Sequence, residues 1–262
     1  MEIKEEKLIS KESIEQTEQK VQVPDIKDEL IAKAKEAGVK VTKAQAEKFQ
    51  KYLEMLLEWN EKINLTAITD PSECVVKHFV DSLLFLKTVS PKQNAKIIDV
   101  GTGAGFPGIP IAIMRPDVKL TLLDSLNKRL VFLREVCKEL NIEAEFVHKR
   151  AEEAGKIKGM RESYDIATAR AVARMNTLCE YCIPLIKMKG LFVVMKGPGL
   201  EEEMVEAKKA ISLLGCDVKK EESFILPNEE KSERRIAVLQ KLRFTPKAYP
   251  RHGNKITKDP IV

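Results

Sequence analysis

Three glycines at alternate positions, Gly101, Gly103 and Gly105, follow the apolar run Ile97-Ile98-Asp99-Val100 and precede Phe106-Pro107-Gly108. A strand that runs into such a turn loses the Cβ atoms that would block a ligand and gains access to positive φ. The helix start that follows presents unpaired N–H groups. The chemistry this suits is cofactor binding on bare backbone. Two cofactor classes use such a loop: from Gly101 it reads G-x-G-x-G, and from Gly103 it reads G-x-G-x-x-G, the dinucleotide fingerprint. In the dinucleotide pattern the first glycine directly follows the strand, and here that place belongs to Gly101.

Asp99 closes the strand with an acceptor aimed at the loop. A carboxylate there suits a cofactor with a cationic or amine-bearing end better than a pyrophosphate. S-adenosylmethionine is therefore the better expectation, with a nicotinamide dinucleotide as its rival. Asp124 ends the next apolar run, Leu120-Thr121-Leu122-Leu123, where an acid bonds ribose hydroxyls in either class. Taken singly, Asp124 is equally a helix N-cap. A methyl on a sulfonium is already activated, so transfer needs an in-line lone pair at roughly 3 Å, and positioning supplies most of the catalysis. Residues 165–174 read Asp-Ile-Ala-Thr-Ala-Arg-Ala-Val-Ala-Arg, with two arginines and no general base. The Asn/Asp-Pro-Pro-aromatic run used on exocyclic base amines is absent there, as is a thiolate for a pyrimidine carbon. An aromatic ring nitrogen such as guanine N7 carries an unprotonated lone pair at neutral pH and needs no base. No residue is therefore assigned as catalytic.

Alternation positions these groups. Strand-like runs at 96–100, 119–124, 144–149, 164–169, 190–196, 217–226 and 234–241 interleave with helical runs at 108–114, 127–141, 174–187 and 200–214. This predicts a parallel sheet covered on both faces, with ligands at the carboxyl ends of its strands. Asp99, Asp124, Arg150–Glu152, Arg170 and Lys196 fall on that rim. The last two strand runs lack a long helix between them, which predicts an antiparallel pair at one edge. Upstream, Thr42 and Gln45 form a capping-box pattern ahead of a stripe of Phe49, Leu53, Leu56 and Leu57, with Tyr52, Met55 and Trp59 beside it. A second helix starts at Asp70-Pro71-Ser72-Glu73 and buries Val75, Val76, Phe79, Leu83 and Leu86. His78, Asp81 and Ser82 share another face, so the His and Asp can bond to each other or point at a ligand; in isolation they read as a satisfied surface pair.

At 262 residues, 44% hydrophobic and 32% charged, the chain has a globular composition, and no apolar run approaches the roughly 18 residues of a membrane span. The opening stretch Met1 to Lys20 is charged throughout and lacks a signal peptide's apolar centre, so a cytoplasmic location is expected. Five cysteines, an odd number, argue against a disulfide framework. Cys179 and Cys182 form the lone C-x-x-C, in a helical segment without a second ligand pair, and read as half-buried core residues. No metal is expected. Residues 1–240 carry 39 basic and 39 acidic side chains, so the net +5 resides in residues 241–262. There Lys241, Arg243, Lys247, Arg251, Lys255 and Lys258 face Asp259 alone, among Phe244, Tyr249, His252, Gly253 and three prolines. This predicts a non-helical arm for a polyanion, its charges on phosphates and its rings on bases. A solvated, disordered terminus is the plain alternative.

Several further stretches narrow the reading: Glu58-Trp59-Asn60-Glu61-Lys62-Ile63-Asn64-Leu65-Thr66, His78-Phe79-Val80-Asp81-Ser82, Gly105 to Pro110, Leu123 to Arg129, Arg150-Ala151-Glu152-Glu153 and Ala169 to Arg174. With the glycine loop and Asp124 they resemble the class I S-adenosylmethionine-dependent methyltransferases. Within that class they resemble the RsmG family, also called glucose-inhibited division protein B, guanine-N7 methyltransferases of 16S ribosomal RNA. The similarity runs from about residue 25 to the C-terminus, while the first twenty or so residues match nothing in the family pattern.

The resemblance implies an α/β fold, a Rossmann-like seven-stranded sheet with its last strand pair antiparallel and an N-terminal helical extension. It implies that Gly101 and Phe106 line the methionine side of the cofactor, Ala151 and Glu152 hold the adenine, and Arg170 closes the site. Gly103 and Asp124 join them from the loop and strand reading. Arg174, Lys196, Arg243, Lys247 and Arg251 are the expected RNA contacts, with Arg170 as a further candidate. The expected division is a charged, flexible extension at 1–24, a helical region at 25–93, the methyltransferase domain at 94–242 and a basic tail at 243–262. The expected protein is a monomer that acts on 16S ribosomal RNA or a small-subunit particle, with no membrane partner. The rival classes are an NAD-dependent oxidoreductase and a non-catalytic RNA-binding ribosome-assembly protein with a methyltransferase fold.

Overall fold

The computed structural model describes residues 23–262. The expectation of a flexible N-terminal extension lies, but for Val23 and Pro24, outside them. Helix α1 spans Lys27–Glu36 and α2 spans Lys43–Ile63. The capping box forms as read, with Gln45 N donating to Thr42 Oγ1 at 3.3 Å and Thr42 N donating to Gln45 Oε1 at 2.9 Å. Asn64 ends α2 in the left-handed region at φ 49°, a conformation its short polar side chain tolerates. The second helix also starts as read, Asp70 Oδ1 accepting from Glu73 N at 2.8 Å. It does not stay α-helical: α3, Pro71–Cys74, passes through a π-helical segment, Val75–Val80, into α4, Asp81–Thr88. A π turn holds an extra residue, so the buried face shifts relative to a 3.6-residue pattern. Asp81 and Ser82, expected on the surface, are 4% and 0% exposed.

The sheet contains β1 Lys96–Val100, β2 Lys119–Asp124, β3 Ala144–His148, β4 Tyr164–Arg170, β5 Ile186–Lys196, β6 Cys216–Ile225 and β7 Glu233–Lys241. Their order is β3-β2-β1-β4-β5-β7-β6. The first five strands are parallel, and β7 runs antiparallel between β5 and the edge strand β6. Helices α5 (Gly108–Met114) and α6 (Asn127–Glu139) pack beneath α2 on one face. The other face carries α7 (Ala151–Ala154), α8 (Met175–Cys182), α9 (Leu200–Glu206) and α10 (Lys208–Leu213). Phe49 and Phe79 of the N-terminal helices share one core with Ile97, Leu122 and Val193 of the sheet. The helical region is thus a layer of the catalytic unit, bound to it by common apolar burial.

Three segments depart from the expected pattern. Helix α8 stops at Cys182, and Ile183–Leu185 forms a single 3₁₀ turn, because Pro184 has no N–H to continue the ladder. Strand β5 consequently begins at Ile186 rather than at 190. The helical run at 200–214 breaks at Ala207 into α9 and α10. The tail, expected as a non-helical arm, packs against the domain and contains α11, Gly253–Lys258, with Ile256 fully buried.

Candidate active site

Gly101, Gly103 and Gly105 adopt φ of 68°, 60° and 101°, as the alternate spacing requires. The N–H groups of Gly101 and Thr102 donate to Leu123 O at 2.8 and 3.1 Å, which ties the loop to the end of β2. Asp99 is fully buried, and its Oδ2 accepts from Thr102 Oγ1 at 2.7 Å and from Gly108 N at 2.9 Å. It braces the loop from behind through Oδ2, while Oδ1 is buried and receives no hydrogen bond. Burial pushes its pKa up to about 6, against the opposing pull of those two hydrogen bonds. From the other side Tyr52 Oη of α2 donates to Ala104 O. A Cβ at Gly105 would stand 2.5 Å from that hydroxyl oxygen, so only glycine admits the contact.

Asp124 is 2% exposed and accepts from Gly103 N at 2.9 Å and from Leu126 N at 2.9 Å. It therefore holds the glycine loop and caps the following turn, with Arg129 at 3.4 Å. Beside it opens a cleft of about 260 Å³, which brings together Gly101, Asp124, Ala151 and Glu152. Arg129, Lys149 and Tyr181 also line it. Sequence spacing gave no reason to choose these three, because chain crossing of the sheet puts them there. Val172 overhangs the loop: a Cβ at Gly101 would meet its Cγ2 at 2.8 Å. A backbone floor kept open by glycine, with an acid at the end of β2, fits the nucleoside end of S-adenosylmethionine.

Gly103, Phe106 and Arg170 are not in the lining of that cleft. Phe106 is 6% exposed, stacked on the His78 imidazole at 4.6 Å, with the Arg170 guanidinium carbon 5.0 Å from its ring centroid. Arg170 donates to Asp81 Oδ2 at 2.9 Å and to the carbonyls of Lys77 and His78 at 3.4 and 3.3 Å. Asp81 therefore pairs with arginine, not with His78. The imidazole instead bonds Thr66 Oγ1 through Nε2 at 2.8 Å. Burial, helped by the Arg170 charge, pushes its pKa down to about 3 and keeps it neutral. His78, Asp81 and Arg170 line a second pocket of about 440 Å³ with Lys196, Glu203 and Arg234, Phe106 lies beneath its wall, and Ala171 borders both pockets. Lys196 is held by Glu203 at 2.6 Å, and exposed Arg174 by Glu206.

The expected RNA arm is anchored. Arg161 donates to the carbonyls of Tyr249 and Thr245 at 2.7 and 2.8 Å, and Glu162 accepts from Thr245 N at 2.9 Å. Lys241, counted among the tail cations, is fully buried against Glu162 at 2.7 Å and Ile183 O at 2.9 Å. Arg251 grips Glu180, whose side chain is 1% exposed, through Nε at 3.0 Å and a second guanidinium nitrogen at 2.8 Å. That corrects its expected role: the guanidinium is committed to a buried carboxylate and serves the fold. Arg243 and Lys247 remain exposed. Cys179 and Cys182 are fully buried free thiols rather than half-buried ones. Among the described residues there is no cluster able to hold a metal ion and no helix long and apolar enough to cross a membrane.

This strand order, with a glycine loop after β1 and an acid ending β2, defines a class I methyltransferase fold. Among solved structures, the [4+2]-cyclase SpnF shares the fold at a TM-score of 0.51, with 12% identity, over 76% of this chain and 96% of its own. The family model for GidB, rRNA small subunit methyltransferase G, matches residues 45–233, and the chain belongs to that family. Ribosomal RNA small subunit methyltransferase G of Bacillus subtilis is 48% identical, over 89% of this chain and 98% of its own. The protein of that name from Alkaliphilus oremlandii is 46% identical, over 90% and 99%.

Proposed function

We propose that the protein transfers the methyl group of S-adenosylmethionine to N7 of a guanosine in 16S ribosomal RNA. The observation that carries this reading is the juxtaposition, across Ala171, of a glycine-floored cleft at Asp124 with a basic pocket around Arg170. The bound cofactor would supply a methyl group already electrophilic on its sulfonium. Gly101 and Gly103 would take it on backbone, Asp124 would receive ribose hydroxyls, and Ala151 with Glu152 would face the adenine. The methyl must meet its acceptor where the two pockets adjoin at Ala171, beside Arg170 and the Phe106 ring under its guanidinium. Guanine N7 offers its lone pair without deprotonation, so no residue need move a proton. His78, kept neutral by burial, is consistent with a wall rather than a base.

A-form RNA hides N7 in a deep, narrow groove, so the target guanosine is unpaired or flipped out of its stack. Arg174 and Lys196 beside the second pocket, with Arg243 and Lys247 on the tail surface, are the proposed phosphate contacts. The proposed acting unit is a monomer in the cytoplasm. The test incubates the protein with methyl-labelled S-adenosylmethionine and 16S RNA or small subunits lacking the modification, then cleaves chemically at 7-methylguanosine. Label at one such site is expected. Label absent from RNA, or carried on a base amine, would overturn the reading.

A further inference from the structure

The second pocket holds an acceptor with no donor. Asp81 lines it, its side chain is 6% exposed, and Oδ2 is taken by Arg170 at 2.9 Å. Its other oxygen, Oδ1, is buried and receives no hydrogen bond. Arg234 Nε stands 3.3 Å from it, near enough for attraction but outside hydrogen-bond geometry. A buried carboxylate oxygen without a donor is costly and calls for a partner, such as a water, an ion or a ligand group. Four cations, Lys77, Arg170, Lys196 and Arg234, line the same pocket. Gly197 and Gly199 line it too, with nothing near the position of a Cβ.

We infer that Asp81 reads the Watson–Crick edge of the target guanine, its Oδ1 accepting from the ring N1–H and the exocyclic N2 amine. The inference rests on the proposed methylation of guanine N7. Of the four RNA bases, guanine alone offers two adjacent donors on that edge, and a carboxylate is the acceptor that matches them. Adenine and cytosine would set a ring-nitrogen lone pair against the carboxylate. N7 lies on the opposite edge of the purine, so a base gripped by Asp81 turns N7 away from Asp81 and leaves it free for the cofactor side. Arg234 is the side chain that gives way. It is 23% exposed, and its remaining hydrogen bond goes to the neighbouring carbonyl of Glu233. Arg170 stays on Oδ2 and keeps the carboxylate oriented. The surrounding cations balance that charge and suit the phosphates on either side of an extruded nucleotide. The two short glycine residues at the mouth leave room for the backbone to enter.

The test pairs a protein change with a substrate change. 16S RNA is assembled by ligation with guanosine or with inosine at the methylated nucleotide; inosine keeps N7, O6 and N1–H and lacks only the N2 amine. The wild-type protein is expected to lose roughly 10- to 100-fold in kcat/KM on inosine, the range for a hydrogen bond to a charged group. Asp81→Asn is expected to be slow on guanosine and to distinguish guanosine from inosine by less than about 3-fold, the remainder expected when the charged acceptor is gone. If Asp81 served the fold alone, the variant would be slow on both RNAs with the wild-type ratio intact, and the inference would fail. Equal wild-type rates on guanosine and inosine would defeat it without recourse to any variant. No methylation of the guanosine RNA by the wild-type protein would instead defeat the proposed function itself.

Discussion

Replacing Arg251 with alanine separates a docked tail from a nucleic-acid arm. The guanidinium donates to Glu180 through Nε at 3.0 and 3.1 Å and through a terminal nitrogen at 2.8 Å, and Arg251 N adds a further bond to the same carboxylate. Glu180 is 1% exposed, so truncation strands a negative charge in the interior. Breaking one side of a buried pair costs about 3–5 kcal/mol. The Arg251 side chain is 15% exposed, which admits some water and places the cost near the lower bound. At roughly 2–4 °C per kcal/mol for a chain of this size, about 3 kcal/mol lowers the melting temperature by roughly 6–12 °C. Differential scanning calorimetry reads that shift. Arg251→Gln with Glu180→Gln removes both charges and is expected to recover more than half of it, a non-additivity that marks direct contact. RNA affinity measured against salt supplies the second reading: a phosphate contact would lower the slope by about one on removal, while a committed Arg251 leaves it unchanged. A variant that melts within about 1 °C of the wild type with a reduced salt slope would refute the reasoning.

Gly101→Ala places a Cβ 2.8 Å from Val172 Cγ2 at φ 68°, where strain costs on the order of 1–3 kcal/mol, so affinity for S-adenosylmethionine by calorimetry is expected to fall at least 10-fold. Tyr52→Phe leaves the Ala104 carbonyl without its buried donor and is expected to lower stability in urea by roughly 1–3 kcal/mol; an unchanged midpoint would mean that α2 does not secure the loop. Asp99 is an acid whose folded pKa, about 6, lies above its ordinary 3.8, so the native state holds the proton more tightly than the unfolded chain. Its contribution is fully present below pH about 4 and is lost as pH rises through about 6. Stability profiles of wild type and Asp99→Asn should therefore diverge in the variant's favour between those values, and parallel profiles would contradict the raised pKa.

Much of this molecule was legible without coordinates because its signals are local. Alternate glycines announce a positive-φ loop, Thr42 with Gln45 announces a helix start, and apolar runs of strand length announce a covered sheet. Each depends on neighbours a few residues away, and each formed at or near its predicted place. The tail misled for the same reason. Its cations are local features, but their partners Glu162 and Glu180 lie some 70 to 80 positions earlier and are joined to them only by folding.

Sequence by itself determined the sheet's alternation, the positive-φ glycine loop and Asp124 at the end of β2, since spacing and residue type suffice for these. Tertiary structure alone decided the division into two pockets and the place of Arg170 in the second, over the buried Phe106 ring. It also showed that Asp99 braces the glycine loop through Oδ2. The π turn in the helix ending at Thr88 swings Asp81 inward against β4 and β7, an event with no signal at 3.6-residue spacing. Side chains separated by 89 and 153 positions meet there because sheet order, not chain order, sets which charges share the interior.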